Sequence, residues 1–416
     1  MSINSKPAGQ LPEAPVSGPL NGVVVLDLTR VVAGPYCTMM LADQGATVIK
    51  IESPSDPDYV RTFPPMLDAP GEPALSGFFA QYNRHKLGVT LDLKKSDGRA
   101  LFLDMVARAH VVVENFRPGT MDRLGLGYAA LREVNPRLVF TAISGFGQTG
   151  PYSSRPAFDN TAQAAGGLWS MNGSPGNPTR VGTIIGDLAA SLYAAFGTLA
   201  ALRQAERTGT GQLVDIAQQD AVLTLTENAV VDYFTTGKVA APLGNEHPFV
   251  RPYGRFACQD GYVFFGAYTD KFWREACTAF NEPQLADDPE IDTMQKRFGT
   301  EVYERRVRPL VEGWLQSRTK AELEALAGDR FPLTAIRNIA EVVGDPHVRA
   351  RHMLTQVKHG AAEASVFSSA VHLSAVTPPT DSRAPLLGED NEAVYRGWLS
   401  VDKTRFDALR HAGVLS

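Results

Sequence analysis

Five short apolar runs recur between residues 23 and 143: VVVLDL (23–28), TVIKI (47–51), LGVTLDL (87–93), HVVV (110–113) and LVFTAI (138–143). Stretches of helical character separate most of them. Continuous apolar runs of this length suit strands buried on both faces, and alternation with helices implies a parallel sheet covered on both sides. The predicted helices span residues 36–44, after the Gly34-Pro35 turn and before Gly45, then 96–107, with Ser96 and Asp97 available as caps, and 121–133. Ligands of such sheets bind at the C-terminal strand edge. The loops there, VVAGP, ESPSDP, ENFRPG and SGFGQTGP, are rich in Gly, Pro and polar residues.

Downstream, residues 187–206 read as a long helix ending at Gly209, and residues 218–234 as another. The texture then changes. Residues 253–256 and 261–265 read as two strands around a Gln259-Asp260-Gly261 turn. Helices are expected at 272–280, 302–316 and 320–327. The predicted organisation is a disordered leader (1–20), a large domain (21–225), a linker (226–243), a small domain (244–343) and a segment returning to the large domain (344–416). The leader is rich in Pro, Gly and Ser and has no apolar secretion core, which points to a cytoplasmic protein.

Composition closes off several function classes. The net charge of −5 provides no global field for nucleic acid or an anionic membrane. No apolar run of membrane-spanning length stands out in the sequence. Cys37, Cys258 and Cys277 are far apart and match neither a disulfide framework nor a metal motif. His347 and His352 sit in a charged stretch that reads as a surface helix, not as metal ligands. GFGQTG (145–150) has the letter spacing of a dinucleotide fingerprint but is followed by Pro151 and polar residues that open no helix.

Gly186-Asp187 precedes the long apolar helix. Asp is a preferred helix cap, and that is one reading. The other uses the same geometry for chemistry. A helix N-terminus favours an ionised carboxylate by about 0.3–1 kcal/mol, and such a carboxylate in a dry site can attack an acyl group.

The segments LDLTRVVAGPYCTMMLADQGATVIKIESP, NRHKLGVTLDLKKSDGR, VENFRPGTMDRLGLGY, NPRLVFTAISGFGQTGPY, FDNTAQAAGGL and IIGDLAASLYAAFGTLAALRQAERTGTGQLVDI cover about residues 20–222. Together they resemble the class III CoA-transferase family, which includes formyl-CoA transferase and carnitine CoA-transferase. A weaker match continues through RPYGRFACQDGYVFFGA and GDPHVRARHM. The resemblance implies an α/β fold, with a Rossmann-like large domain and a smaller α+β domain, in an interlaced homodimer. It implies transfer of CoA from an acyl-CoA to a free carboxylic acid through an acyl–aspartyl anhydride and an aspartyl–CoA thioester. Asp187 is then the nucleophile, with no metal and no permanently bound cofactor. By the same resemblance CoA contacts fall on Val32 and Ala33; Leu91, Asp92, Leu93 and Lys94; Asn115, Phe116, Arg117 and Arg123; and Ala157, Phe158 and Asp159. Lys94, Arg117 and Arg123 suit its phosphates.

The chain departs from formyl-CoA transferase at Val32 (Gln there), Phe158 (Tyr there) and Ser53 (an Arg there), and it lacks that enzyme's glycine-run loop. These departures argue against formate and oxalate as substrates. Two other readings are a 2-methylacyl-CoA racemase of the same fold and a non-catalytic acyl-CoA-binding protein. The racemase needs a histidine where Phe158 stands, and Phe cannot exchange a proton.

Overall fold

The computed structural model describes residues 9–12, 16–376 and 381–416. The described chain divides into two compact units. One holds the chain up to Leu168, Arg180–Val230 and Pro346–Ser416; the other holds Trp169–Thr179 and Val231–Asp345.

The first unit is built on a six-stranded sheet. Its strands are β1 (Val24–Asp27), β2 (Thr47–Glu52), β3 (Lys86–Thr90), β4 (Val111–Glu114), β5 (Val139–Ser144) and β6 (Leu213–Ala217). The order is β6-β5-β4-β1-β2-β3 and every pairing is parallel. Successive side chains alternate between faces. Val25, Val48, Val111 and Val139 pack under two helices, α1 (Ala33–Ala42) and α4 (Ile185–Thr208). Leu26, Ile49, Val112 and Phe140 pack on the opposite face with α2 (Ser96–Val106) and the C-terminal residues Tyr395, Trp398, Phe406 and Leu409. Burial on both faces is why these strands read as continuous apolar runs. The sheet also hides charge. Asp27 accepts from Lys86 Nζ (2.9 Å) and Thr38 Oγ1 (2.7 Å). Burial alone would raise the pKa of Asp27, but Lys86 and Lys50 outweigh it and bring the carboxyl down to about 2.

Helix α3 (Asp159–Ala165) follows the loop after β5, and α5 (Gln218–Leu223) follows β6 directly. The second unit carries an antiparallel sheet, β7 (Gly254–Cys258), β8 (Gly261–Phe265) and β9 (Leu333–Ala335), packed on helices through Trp273, Cys277, Val311 and Leu315.

Several expectations are corrected. The long helix begins at Ile185, so Asp187 is its third residue and not its cap; the preceding Ile184 has no capping side chain. Helix α2 starts at Ser96, but its cap position is Lys95, with no side-chain cap. The helix expected over 218–234 breaks after Leu223 and resumes at Ala229–Thr236, inside the stretch expected to be a linker. Residues 169–179, expected in the large domain, cluster with the second unit. Of the expected leader, residues 1–8 and 13–15 lie outside the described residues. Val16 is buried, and the Leu20 amide donates to the Gln44 carbonyl. Helix α4 is also long and apolar enough, by length and composition, to cross a membrane. Its alanine-rich face is buried on the sheet, while Leu192, Tyr193, Phe196 and Leu199 are exposed.

Candidate active site

The loops that leave the C-terminal ends of the six parallel strands converge on two cavities of the first unit. One, about 250 Å³, is lined by Arg30, Ser53, Leu91, Asp92, Leu93, Lys94, Phe116 and Arg123 among others. The other, about 320 Å³, is lined by Arg30, Val32, Ala33, Tyr59, Asn115, Phe116, Arg117, Arg155, Ala157, Phe158, Asp187 and Gln218 among others. Arg30 and Phe116 line both. Every residue expected to contact CoA lines one of the two, except Asp159, which lines neither.

The walls are fixed from behind. Asn115 clamps two loops together: its Oδ1 accepts the Arg30 N–H (2.9 Å) and its Nδ2 donates to the Arg30 carbonyl (2.8 Å). Val31 has φ of +70°, a left-handed conformation that β-branched residues avoid. Its N–H donates to the Asp58 carboxylate (3.0 Å), and Asp58 is in turn paired with buried Lys50 (3.4 Å). The first loop, carrying Val32 and Ala33, is thus held in shape by a buried ion pair beneath it. Arg30 is committed to Asp56 (3.0 Å) and the Pro57 carbonyl (2.6 Å). Arg117, Lys94 and Arg155 pair with no carboxylate among the described residues. The Arg155 guanidinium lies 3.6 Å from the centre of the Tyr152 ring.

Asp187 is half-buried in the first turn of α4. Behind it, Asp159 Oδ1 accepts the Gly186 N–H (2.7 Å) and Asp159 Oδ2 accepts from Gln163 Nε2 (2.8 Å). A side chain at 186 would crowd that carboxylate, its Cβ falling 3.1 Å from Asp159 Oδ1. Asp159 is therefore a brace for the helix start, not a wall of the cavity. In front, Gln218 Nε2 donates to Asp187 Oδ1. The Ser191 hydroxyl is 2.7 Å from both the Asp187 and the Ala33 carbonyls, tying α4 to the first residue of α1.

Removal from water pushes the Asp187 carboxyl up to about 7; the nearby Asp159 charge adds to this and the Gln218 hydrogen bond opposes it. The preference of the helix N-terminus for an ionised carboxylate is thereby outweighed. Burial and a like charge, worth more than one turn of helix dipole, win. Around pH 7 the group is split between both forms.

No histidine lines either cavity. Residues 145–158, with the GxGxxG spacing, form turns and open no helix before Asp159. Gln218, Arg155, Arg30 and Tyr59 line the site without having been expected there. Their contribution depends on how separate loops close together, which sequence spacing does not encode.

The sheet edge and the half-buried carboxylate beside it form a candidate site for covalent chemistry on an acyl group. The family model of CoA-transferase family III matches residues 20–391. The chain belongs to CoA-transferase family III, and its activity is the transfer of coenzyme A. It is 40% identical over 381 residues to the succinyl-CoA:mesaconate CoA-transferase of Haloarcula hispanica, covering 89% of this chain and 94% of that protein. It is 37% identical over 340 residues to the acetyl-CoA:oxalate CoA-transferase of Acetobacter aceti, covering 81% and 85%. The crystal structure of a CAIB/BAIF family protein from Brucella suis matches with a TM-score of 0.79 at 33% identity, covering 91% of this chain and 98% of that one.

Proposed function

We propose that this chain carries CoA from an acyl-CoA donor to a free dicarboxylic acid, with Asp187 as the nucleophile. Asp187 attacks the donor thioester carbonyl, the C–S bond breaks, and CoA thiolate leaves an acyl–aspartyl anhydride. The thiolate attacks the Asp187 carbonyl carbon, freeing the donor acid and forming an aspartyl–CoA thioester. The acceptor acid attacks that thioester, and the same two steps run in reverse. One thioester replaces another, so no external energy source is required. The CoA thiol, with a pKa near ~8.5, is a competent leaving group.

The observation that carries this reading is the half-buried carboxylate of Asp187, facing a cavity that shares Arg30 and Phe116 with its neighbour. CoA lies across both cavities. Leu91, Asp92, Leu93, Lys94 and Arg123 hold one end; Val32, Ala33, Asn115, Phe116, Arg117, Ala157 and Phe158 hold the end near Asp187. Two observations support a dicarboxylic substrate. Arg117 and Arg155 line the Asp187 cavity without a carboxylate partner among the described residues, and the Haloarcula relative is named for succinyl-CoA and mesaconate. The functional unit is a homodimer of interlaced chains. The exposed apolar side chains of α4 (Leu192, Phe196, Leu199) and of Leu223 and Leu225 beyond it support a protein surface there.

The test is a panel of acyl-CoA donors against mono- and dicarboxylic acids, with wild type and Asp187→Ala, alongside solution mass. Transfer to dicarboxylic acids by wild type, none by Asp187→Ala and a dimer for both are expected. Turnover by Asp187→Ala would refute the nucleophile.

A further inference from the structure

Gln218 stands directly after β6 as the first residue of α5, and its side chain is buried. Its amide nitrogen donates to Asp187 Oδ1, whereas Asp187 Oδ2 accepts no hydrogen bond among the described residues. The two carboxylate oxygens are therefore not equivalent. An ionised carboxylate only accepts hydrogen bonds, so the glutamine must present its NH₂ to it. The same donor remains correctly aimed once Oδ1 becomes a carbonyl oxygen.

We infer that Gln218 is a catalytic hydrogen-bond donor: it leaves Oδ2 as the attacking oxygen and stabilises the charge that builds on Oδ1 when CoA thiolate adds to the Asp187 carbonyl carbon. The inference rests on Asp187 being the nucleophile. In the first step the Oδ2 lone pair forms the bond to the donor acyl carbon, and the thiolate departs with the C–S pair. In the second, the thiolate pair forms the S–C bond to Asp187, and the carbonyl π pair moves onto Oδ1. When that pair returns, the C–Oδ2 bond breaks, and the donor acid leaves carrying Oδ2. No proton moves, so what the site must supply is a donor aimed at Oδ1. A preorganised amide does this without reorganisation at the moment of reaction.

Other groups act on Asp187 as well: the Asp159 charge at the start of α3, the phenols of Tyr59 and Tyr82, which feel the Asp187 charge, and Arg30, Arg117 and Arg155 on the same cavity wall. None of them donates a hydrogen bond to its carboxylate. Gln218 also differs from a residue that only braces α5 against α4. A brace would affect folding, whereas a donor to Oδ1 affects turnover and the pH at which Asp187 ionises.

The experiment compares wild type with Gln218→Met, which keeps length and volume but removes the donor, and with Gln218→Glu, which keeps the shape. Three quantities are measured: kcat and KM for CoA transfer, the pH profile of kcat, and CoA attached to Asp187 after mixing with acyl-CoA alone. For Gln218→Met, kcat falls about 100-fold while KM for acyl-CoA stays within about threefold. The acid limb of its profile moves to higher pH, because a hydrogen bond that favours ionised Asp187 is lost. For Gln218→Glu, activity declines as pH rises and a second negative charge forms beside Asp187. If Gln218→Met keeps kcat within about threefold of wild type with an unmoved acid limb, and wild type carries CoA on Asp187, the inference is wrong and the nucleophile stands. If wild type carries no CoA on Asp187, the nucleophile itself is wrong. If Gln218→Met does not fold, Gln218→Glu decides: activity that rises with pH as in wild type overturns the inference.

Discussion

Replacing Asp187 by asparagine removes a charge that the fold strains to accommodate, so the same change that abolishes turnover stabilises the protein at alkaline pH. The Asp187 carboxyl shifts from 3.8 to about 7 on folding, chiefly through removal from water and secondarily through Asp159. The folded state therefore binds a proton more tightly than the unfolded state does. Below pH 4 both states hold the proton and Asp187 imposes no penalty. Between pH 4 and 7 the unfolded chain has lost it while the folded chain must keep it or bury a charge, so stability falls as pH rises. Above pH 7 the full penalty is present. A rise from 3.8 to about 7 amounts to about 4 kcal/mol at most. The asparagine side chain keeps an oxygen to accept from the Gln218 amide and carries no charge. The assay is denaturant unfolding of wild type and Asp187→Asn from pH 4 to pH 8.5, taking the difference at each pH so that other titrating groups cancel. The difference should be small near pH 4 and grow to about 2–4 kcal/mol in favour of Asp187→Asn by pH 8. A difference that stays flat across this range would refute the assignment of a strained carboxylate.

Other consequences follow from the same geometry. Turnover of wild type should rise with pH through an acid limb near 7, where Asp187 ionises. Asp159→Asn removes the like charge behind the nucleophile, so that limb should move to lower pH in a kcat profile; a shift upward would contradict the arrangement. Arg155→Ala should raise KM for a dicarboxylic acceptor roughly tenfold while leaving KM for acyl-CoA nearly unchanged, as expected for loss of one charge-assisted contact. Asn115→Ala breaks both hydrogen bonds to the Arg30 backbone and should lower stability by about 1–3 kcal/mol in urea unfolding.

The parts of this molecule that sequence reveals are those governed by local pattern. Strands β1 to β5 show as apolar runs because both of their faces are buried. Strand β6 is harder to see, since LVDIA at the sheet edge exposes Leu213 and Asp215 and alternates instead. Helix α4 is plain from its alanine and leucine content, but its start is not. Ile184 is not a capping residue, and the Gly-Asp pair suggests a beginning two residues too late. The break after Leu223 falls in a Thr-Leu-Thr-Glu-Asn stretch where Glu227 adopts φ of +53°, a conformation that the residue type does not announce. The cavity-lining loops follow from topology, because parallel strands deliver their C-terminal ends to one edge. Partnerships across that edge do not follow from topology. Lys50 lies within an apolar run and Lys86 directly before one, and both are buried and paired with acids. The ionisation of Asp187 is likewise set first by burial and then by residues 28 and 31 positions away, Asp159 and Gln218. The helix dipole is visible in sequence, and the stronger desolvation is not.

The most direct measurement mixes the enzyme with acyl-CoA in the absence of acceptor, quenches, digests and maps the modified peptide by mass spectrometry. A CoA-sized addition on the peptide holding Asp187, lost when a carboxylic acceptor is added before the quench, is the predicted result. An addition on another residue, or an unmodified Asp187 peptide under conditions of full turnover, contradicts the account.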